Sequence, residues 1–442
     1  MAIAKNPFAV RDFRLLWIGE AVSSVGDQFA LIALPWLALV LTGSPLALGG
    51  VMAVMAIPRA LLMLLGGVSV DRFSPRRVML ASNAIRLVAV AILGGMVLTG
   101  GVQLWMLYAF ALIFGVADAF FFPAQTSIVP ELVEPDVLQR ANGIVQGTAQ
   151  GTVLVGPALA GVVIAAFGGS ASTATAAGIG VALLVDAGTF LVSLVSLWLI
   201  RPRTHVAQNT GSIVDSIREG VRFVWASPSM RAMITVSLSA NLLIVGPIEV
   251  GLPYIAYTRL PEGAAAFGIM IAAFGGGSLI GLAFGAMLPA PRPSRLGAVV
   301  VVPMAIAGLS LAALAAAHST LVACLLTGVA GVALGYGNLL ALTWIQGRIP
   351  PELMGRVMSV LITGSVGLVP VSSFIAGAAV EVSLEATMLI GGGAMALLAL
   401  GSLLSRPVRN LGLEQLQGAA PTGDSVDAPV GGTETGPAEA GA

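Results

Sequence analysis

The sequence predicts an all-α polytopic membrane protein whose twelve transmembrane helices form two six-helix bundles. Hydrophobic residues make up 57% of its 442 residues and charged residues only 10%, whereas soluble domains carry about 25% charged residues. The mean hydropathy is +0.97. The apolar residues gather into runs of roughly 20, the length that crosses a bilayer. Because lipid cannot hydrogen-bond a bare backbone, runs of this length must be helices.

Twelve apolar runs follow one another along the chain, six on each side of its longest connection. We expect spans at 14–41, 45–70, 78–99, 102–123, 142–168, 174–200, 232–257, 266–288, 297–317, 319–345, 357–380 and 385–404. The first run is too long for a cleaved signal peptide, carries two acidic residues and lacks a small-residue cleavage site. It therefore predicts a retained first span.

The runs divide the chain into four regions. We expect an N-terminal six-helix bundle in 1–200, a central cytoplasmic loop in 201–230, a C-terminal six-helix bundle in 231–408 and a disordered cytoplasmic tail in 409–442. In the loop, apolar residues recur at helical spacing with charged residues on the other faces, which predicts an amphipathic helix on the membrane surface. From about residue 410 the chain is rich in Gly, Ala, Pro and Thr and has only acidic charges, a composition typical of disorder.

The distribution of Lys and Arg predicts the orientation. Eighteen of the 21 Lys and Arg residues lie in the termini and the loops on their side, and the opposite loops hold one, Arg259. Loops rich in positive charge stay on the cytoplasmic side. Since the number of spans is even, we expect both termini in the cytoplasm of a multi-pass protein of the cell membrane.

Composition disfavours several classes of function. A formal net charge of zero leaves no basic face for nucleic acid. The single cysteine and two widely separated histidines offer no metal-ligand cluster, and the chain has no Gly-rich nucleotide loop. We therefore expect no metal, no cofactor and no direct use of ATP. An enzyme would need a clustered catalytic set, and a channel would repeat polar positions along its pore.

A charged break separates the second and third runs. The stretch GGVSVDRFSPRRVM, residues 66–79, resembles the motif G-x-x-x-D-R-x-x-G-R-R of the major facilitator superfamily, with Pro75 in place of a glycine. The matching residues are Gly67, Asp71, Arg72, Arg76 and Arg77. A pure orientation signal would need only the arginines, because acidic residues contribute little to orientation. The aspartate therefore favours a second interpretation, a conformational latch.

The resemblance implies what this latch contacts. In the family, the aspartate at the position of Asp71 contacts the start of the eleventh helix when the inner side is closed, and Arg356 lies at that start here. The positive end of a helix favours such a carboxylate. Asp118, near the cytoplasmic end of the fourth span, resembles the family's partner for a motif arginine, here Arg72 or Arg76.

Other stretches extend the resemblance from about residue 7 to 404. In TVLVGPALAG, an antiporter-like motif, Gly156, Pro157 and Gly161 match, while Thr152 and Ala160 replace glycines. Stretches such as FFFPAQTSIVPELVEPDVLQRANG and RIPPELMGRVMSV are similar to exporters related to enterobactin and macrolide efflux proteins. The Pro-Glu-Leu segments in both occupy equivalent places in the two halves, which indicates a parallel duplication of six-helix units.

Ionisable residues inside spans are costly in lipid and mark either function or ion pairs. A carboxylate in a partly dry cavity can take up and release a proton near neutral pH. The candidates for proton coupling or substrate contact are, in order, Asp27, Asp186, Glu249 and Glu20. In the alternative interpretation, structural ion pairs with Arg59 and Arg86 hold such acids permanently.

These features together predict a secondary transporter that exports small amphipathic molecules, such as drugs or antibiotics, in exchange for protons. Two bundles would rock about a central cavity in the lipid bilayer, and we expect the chain to work as a monomer. The antiporter-like motif disfavours uptake. Two alternatives stay open: export of an endogenous metabolite such as a siderophore, and a receptor or scaffold that transports nothing.

Overall fold

The computed structural model describes residues 6–168, 172–201, 213–289, 291–350, 353–409 and 411. Within these ranges twelve helices are long and apolar enough to cross a membrane, which confirms the predicted fold class. We number them as spans 1–12. Their bounds are Arg11–Thr42, Pro45–Arg72, Pro75–Leu98, Leu104–Leu132, Pro135–Gly168, Ser172–Leu199, Pro228–Arg259, Ala264–Met287, Leu296–Ala316, Thr320–Gln346, Met354–Val382 and Leu384–Ser402.

Capping residues explain the sharp turn between spans 1 and 2. Span 1 is followed by Gly43, whose φ of 64° is a left-handed conformation that glycine adopts without strain. Ser44 then accepts a hydrogen bond from the backbone N–H of Ala47 at 3.2 Å, and a proline occupies the first turn of span 2. A two-residue connection therefore suffices to reverse the chain.

The spans pack as two six-helix halves. In the N-terminal half span 1 lies against spans 5 and 6, span 3 against spans 4 and 6, and span 2 against span 4. In the C-terminal half span 8 packs on span 10, and span 9 packs on spans 10 and 12. Small residues allow this: a Cβ added at Gly281 would stand 2.8 Å from the backbone nitrogen of Tyr336. Close backbone contact of this kind is the ordinary basis of helix packing in lipid.

The two halves touch on one face of the bundle. We call it the opposite face, because the N-terminus and the 2–3 connection lie at the other, terminal face. Spans 2 and 11 meet on the opposite face, and so do spans 5 and 8. Toward the terminal face, span 5 has open space beside Gly143, Gly147 and Gly151. Among the described residues, the close contacts between the halves therefore lie toward the opposite face, and span 5 is open toward the terminal face.

Span 7 departs from regular α-helix where it faces the other half. It has π-helical turns at Asn241–Val245 and Pro247–Gly251. Proline lacks the N–H that would join the hydrogen-bond ladder of the helix. The side chain of Ser372, on span 11, forms hydrogen bonds with backbone groups of span 7 in this region. Its hydroxyl accepts from the N–H of Gly246 at 2.8 Å and donates to the carbonyl of Leu242 at 2.7 Å. Such π-helical turns are frequent at functional sites.

A separate helix, Ile213–Ala226, lies between the halves in sequence and packs on the start of span 11. We call it the linker helix. A Cβ added at its Gly220 would stand 2.8 Å from the carbonyl oxygen of Arg356. After span 12 the short helix Arg406–Arg409 follows. Of the predicted disordered tail, residues 410 and 412–442 lie outside the described residues.

Candidate functional site

Five charged side chains meet inside the N-terminal half. At their centre Arg86 of span 3, only 2% exposed, forms an ion pair with Asp118 of span 4. Its guanidinium also lies over the ring of Phe121, 4.2 Å from the ring centroid. A guanidinium buried in the apolar interior needs a carboxylate to compensate its charge. The pair therefore fixes span 3 to span 4 at membrane depth.

Glu20 of span 1 belongs to the same cluster through a hydrogen-bond network. Its carboxylate accepts from the amide of Gln125 at 2.5 Å and from the hydroxyl of Ser193 at 3.5 Å. Asn83, fully buried on span 3, donates to the same Ser193 hydroxyl at 2.9 Å. The network thus joins spans 1, 3, 4 and 6 around a buried acid.

Asp27 and Asp186 have much weaker contacts. Asp186 is fully buried on span 6, and among the described residues its carboxylate accepts a hydrogen bond from the Thr189 hydroxyl alone, at 3.4 Å. Spans 1 and 6 are close here, since a Cβ added at Gly26 would stand 2.6 Å from Asp186 Oδ1. Within the described part of the chain, Asp27 Oδ1 and Asp186 Oδ2 are buried without a hydrogen-bond partner. Such orphaned oxygens are costly unless a proton or another donor reaches them.

The cluster has four carboxylates, those of Glu20, Asp27, Asp118 and Asp186, around the single guanidinium of Arg86. In a low-dielectric interior, several neighbouring carboxylates cannot all carry charge. Protons bound to such a group belong to the set rather than to one residue. Among the described residues, Asp27 and Asp186 are the members of this set that have an orphaned carboxylate oxygen.

A second pair of charges lies where the halves face each other. Glu249 belongs to the π-helical turn Pro247–Gly251 of span 7, which contacts span 2, and it accepts a hydrogen bond from Ser373 of span 11. Arg59 of span 2 interacts with it electrostatically. The Arg59 guanidinium lies 4.4 Å from the ring centroid of Phe122, and its Nε is buried without a described partner. Each half thus presents one charge to the other.

The described latch side chains have separate surroundings in this conformation. Arg76 donates to the carbonyls of Leu197 and Trp198 at the end of span 6, both at 2.8 Å. Arg72 and Arg77 are exposed. Arg356 forms an ion pair with Glu219 of the linker helix. The side chain of Asp71 lies outside the described residues, although its backbone belongs to span 2.

One expectation about the latch is wrong for this conformation. Asp118 pairs with Arg86 and not with a motif arginine, because Arg86 is buried beside it while Arg76 meets the negative end of span 6. Gly67 has open space beside it in this conformation, because a Cβ added there would meet nothing within 4 Å. Its neighbour Gly66 is the glycine packed against the backbone of Ala119 in span 4.

The antiporter-like motif lies at the contact between halves. A Cβ added at Gly161 of span 5 would stand 2.7 Å from the carbonyl oxygen of Ala264 in span 8. The backbone of Pro157 packs on Gly268 of the same span. Gly156 faces within its own half, with Gln28 of span 1 against it. Two of the three motif residues therefore contact the other half directly.

Sequence reasoning missed the polar residues that orient these charges. Gln125 and Ser373 each hold a buried or half-buried carboxylate, but an isolated Gln or Ser in an apolar run has no distinguishing pattern. The ion pair between Glu219 and Arg356 was missed as well. The alternation of charged and apolar residues in the linker sequence was the available signal for Glu219, and its partner lies 137 residues away.

Comparison with known proteins agrees with this architecture. The Major Facilitator Superfamily family model matches residues 16–371. The multidrug efflux pump Tap of Mycobacterium tuberculosis (strain ATCC 25618 / H37Rv) is 28% identical over 390 residues, 85% of this chain and 88% of that one. Macrolide efflux protein A of Streptococcus pyogenes is 22% identical over 358 residues, 80% of this chain and 85% of that one.

Among solved structures, the nucleoside transporter NupG has the same fold. Its TM-score is 0.70 at 15% sequence identity, with 89% of this chain and 98% of that chain covered. The resemblance to efflux proteins expected from the motifs is confirmed by the two efflux relatives. A family model spanning most of the chain, twelve membrane-spanning helices and this fold lead to one conclusion: the chain is a transporter of the major facilitator superfamily, embedded in a membrane.

Proposed function

We propose that this transporter exports small amphipathic molecules, including drugs or antibiotics, in exchange for protons. The observation that carries the proposal is the set of four carboxylates around Arg86, in which Asp27 Oδ1 and Asp186 Oδ2 are buried and have no hydrogen-bond partner among the described residues. A purely structural ion pair needs one acid for one arginine. Three further acids at membrane depth are retained at a cost, and proton exchange explains them.

The substrate class rests on the relatives and on the open space beside span 5. The two efflux relatives, a multidrug efflux pump and a macrolide efflux protein, support export of amphipathic molecules. The excess of Lys and Arg at the terminal face supports its cytoplasmic location in the cell membrane. With that orientation, span 5 is open toward the cytoplasm, the side from which an exporter loads its substrate. We propose that the chain works as a monomer, since one chain supplies both halves and the contacts between them.

The mechanism follows from electrostatics. A proton entering from the outer side neutralises Asp27, and through the shared cluster it changes the balance of charge around Arg86. In an occluded conformation, a protonated, neutral carboxyl group costs less free energy than a buried carboxylate does. Substrate occupies the space between the halves, where Glu249 and Arg59 present opposite charges. The motif of Asp71, Arg76 and their neighbours closes the terminal face when the halves rock.

The test is flux of a fluorescent lipophilic cation in proteoliposomes under an imposed pH gradient. We compare the wild type with Asp27→Asn and with Asp136→Asn, a matched control on the exposed first turn of span 5. The proposal expects gradient-driven flux in the wild type and in the control, and loss of the gradient dependence in Asp27→Asn. Equal coupling in both variants rejects Asp27 as a coupling residue. Absence of gradient-driven flux for a panel of amphipathic cations and antibiotics rejects drug export.

A further inference from the structure

At the contact between spans 2 and 11, a carboxylate of span 11 accepts hydrogen bonds from the start of span 2. This carboxylate belongs to none of the sequence motifs described above. We propose that Glu381 is an opposite-face latch: its carboxylate holds that face closed by binding the N-terminal end of span 2. In the proposed orientation this is the extracellular face. The latch is a property of the fold, and it acts whether or not transport is coupled to protons.

The bond joins the two halves directly. Glu381 is the penultimate residue of span 11, and its Oε2 accepts from the hydroxyl of Ser44 at 2.7 Å and from the backbone N–H of Leu46 at 3.1 Å. The N–H groups in the first turn of a helix have no partner within the helix. The helix dipole also favours a negative charge there. A carboxylate acceptor makes hydrogen bonds about twice as strong as neutral ones.

Span 2 does not need Glu381 in order to begin where it does. Ser44 already caps the helix by accepting from the N–H of Ala47 at 3.2 Å, and Pro45 occupies its first position. Both of these features lie within the N-terminal half. The bonds to Glu381 therefore stabilise the contact between halves rather than the helix itself.

Two glycines set the separation at which this bond forms. A Cβ added at Gly377 would stand 2.8 Å from the carbonyl oxygen of Pro45 and 3.0 Å from the Cα of Gly49. A Cβ added at Gly49 would stand 2.6 Å from the carbonyl oxygen of Ser373. Any side chain at either position would push the spans apart. The glycine contact and the carboxylate bond are therefore made and lost together as this face closes and opens.

The same two spans have a second carboxylate in an equivalent position at their other ends. Asp71 lies at the C-terminal end of span 2, near the terminal face, and Glu381 lies at the C-terminal end of span 11, near the opposite face. Each carboxylate would bind the N-terminal end of the partner span when its own face is closed. The Asp71 half of this comparison rests on the latch proposed above, whereas the Glu381 bond is present in the structure.

The test measures distances across the opposite face in lipid nanodiscs, with no substrate and no gradient. Spin labels at Thr99→Cys and Ser319→Cys, both exposed and in different halves, report this separation in a Cys324→Ser background. Glu381→Ala should raise the ratio of open to closed populations by about three- to tenfold, the effect of losing a partly exposed charge-assisted bond. Gly377→Ala should act in the same direction by a steric route.

The matched control is Glu385→Ala. Glu385 lies on the same face and forms an ion pair with Arg259, but both belong to the C-terminal half. The control should leave the ratio within about twofold of the wild type, because the pair does not cross between the halves and its Glu385 side chain is exposed. Glu381→Gln, which keeps the shape and loses the charge, should shift the ratio less than Glu381→Ala. The latch is overturned if the ratio shifts as much in the control as in Glu381→Ala. It is also overturned if Glu381→Ala does not shift the ratio, or if the wild type has no closed population.

Discussion

Replacing Asp118 by asparagine removes the carboxylate that compensates Arg86 and nearly preserves the shape of the side chain. The guanidinium stays where it is, 2% exposed and close to three aromatic rings, with centroid distances of 4.2, 5.3 and 5.7 Å. Its Nε already has no hydrogen-bond partner among the described residues. The substitution therefore leaves a buried cation without its direct counter-charge, and the N-terminal half should lose stability.

The size of the loss follows from the surroundings of Arg86. Breaking a buried pair by removing one partner costs about 3–5 kcal/mol. Glu20, Asp27 and Asp186 lie around the same guanidinium and can supply part of the missing charge, so we expect the lower end, about 3 kcal/mol. For a unit of about 200 residues, roughly the size of one half, 1 kcal/mol corresponds to about 2–4 °C in Tm. Asp118→Asn should therefore lower Tm by roughly 6–12 °C.

The assay is thermal unfolding of purified protein in detergent, followed by intrinsic tryptophan fluorescence. Asp136→Asn is the matched control, because it makes the same chemical change at an exposed position of the same half. Its Tm should stay within about 2 °C of the wild type, as expected for a surface substitution. If Tm falls no further in Asp118→Asn than in the control, Asp118 does not stabilise the fold by compensating the charge of Arg86. A gain in Tm would mean that the free energy of desolvating the ion pair exceeds the free energy of its electrostatic attraction.

Three further changes have definite expected outcomes. Gly281→Ala should lower Tm because its Cβ meets backbone atoms of span 10, whereas Gly393→Ala, with open space around it, should not; the same unfolding assay compares them. Glu219→Gln should free Arg356 and increase proteolytic cleavage around the linker helix, with less than about 1 kcal/mol of lost stability because the pair is exposed; unchanged cleavage rates would contradict this. Asp71→Asn should slow transport turnover without abolishing gradient dependence in the flux assay, and normal turnover would leave the motif as an orientation signal.

Much of the fold could be predicted because membrane spans are recognisable in the sequence as long apolar runs. Lipid requires long apolar helices, so the twelve runs and their bounds follow from hydropathy, and most predicted ends lie within a few residues of the observed ones. The two largest differences lie on either side of one connection: span 4 ends at Leu132 rather than near 123, and span 5 begins at Pro135 rather than near 142. The polar segment DVLQRANG favoured a loop, but it continues the helix beyond the apolar run.

The candidate site could be predicted only in part, because sequence gives the depth of a charge but not the direction in which it points. Asp118 illustrates this: its depth was readable, while its pairing with Arg86 depends on how spans 3 and 4 are rotated against each other. Glu381 illustrates the converse. At the end of a span it resembles an ordinary solvated acid, and only the approach of Gly49 to Gly377 brings it to span 2.

The central claim is that buried carboxylates of the N-terminal half exchange a proton for substrate. Its most direct test is proton release on binding: a lipophilic cation is added to purified protein in weakly buffered detergent solution, and the pH change is recorded. We expect proton release from the wild type and from Asp136→Asn, and strongly reduced release from Asp27→Asn and Asp186→Asn. Binding of the cation without proton release, or equal release from all four proteins, would contradict it.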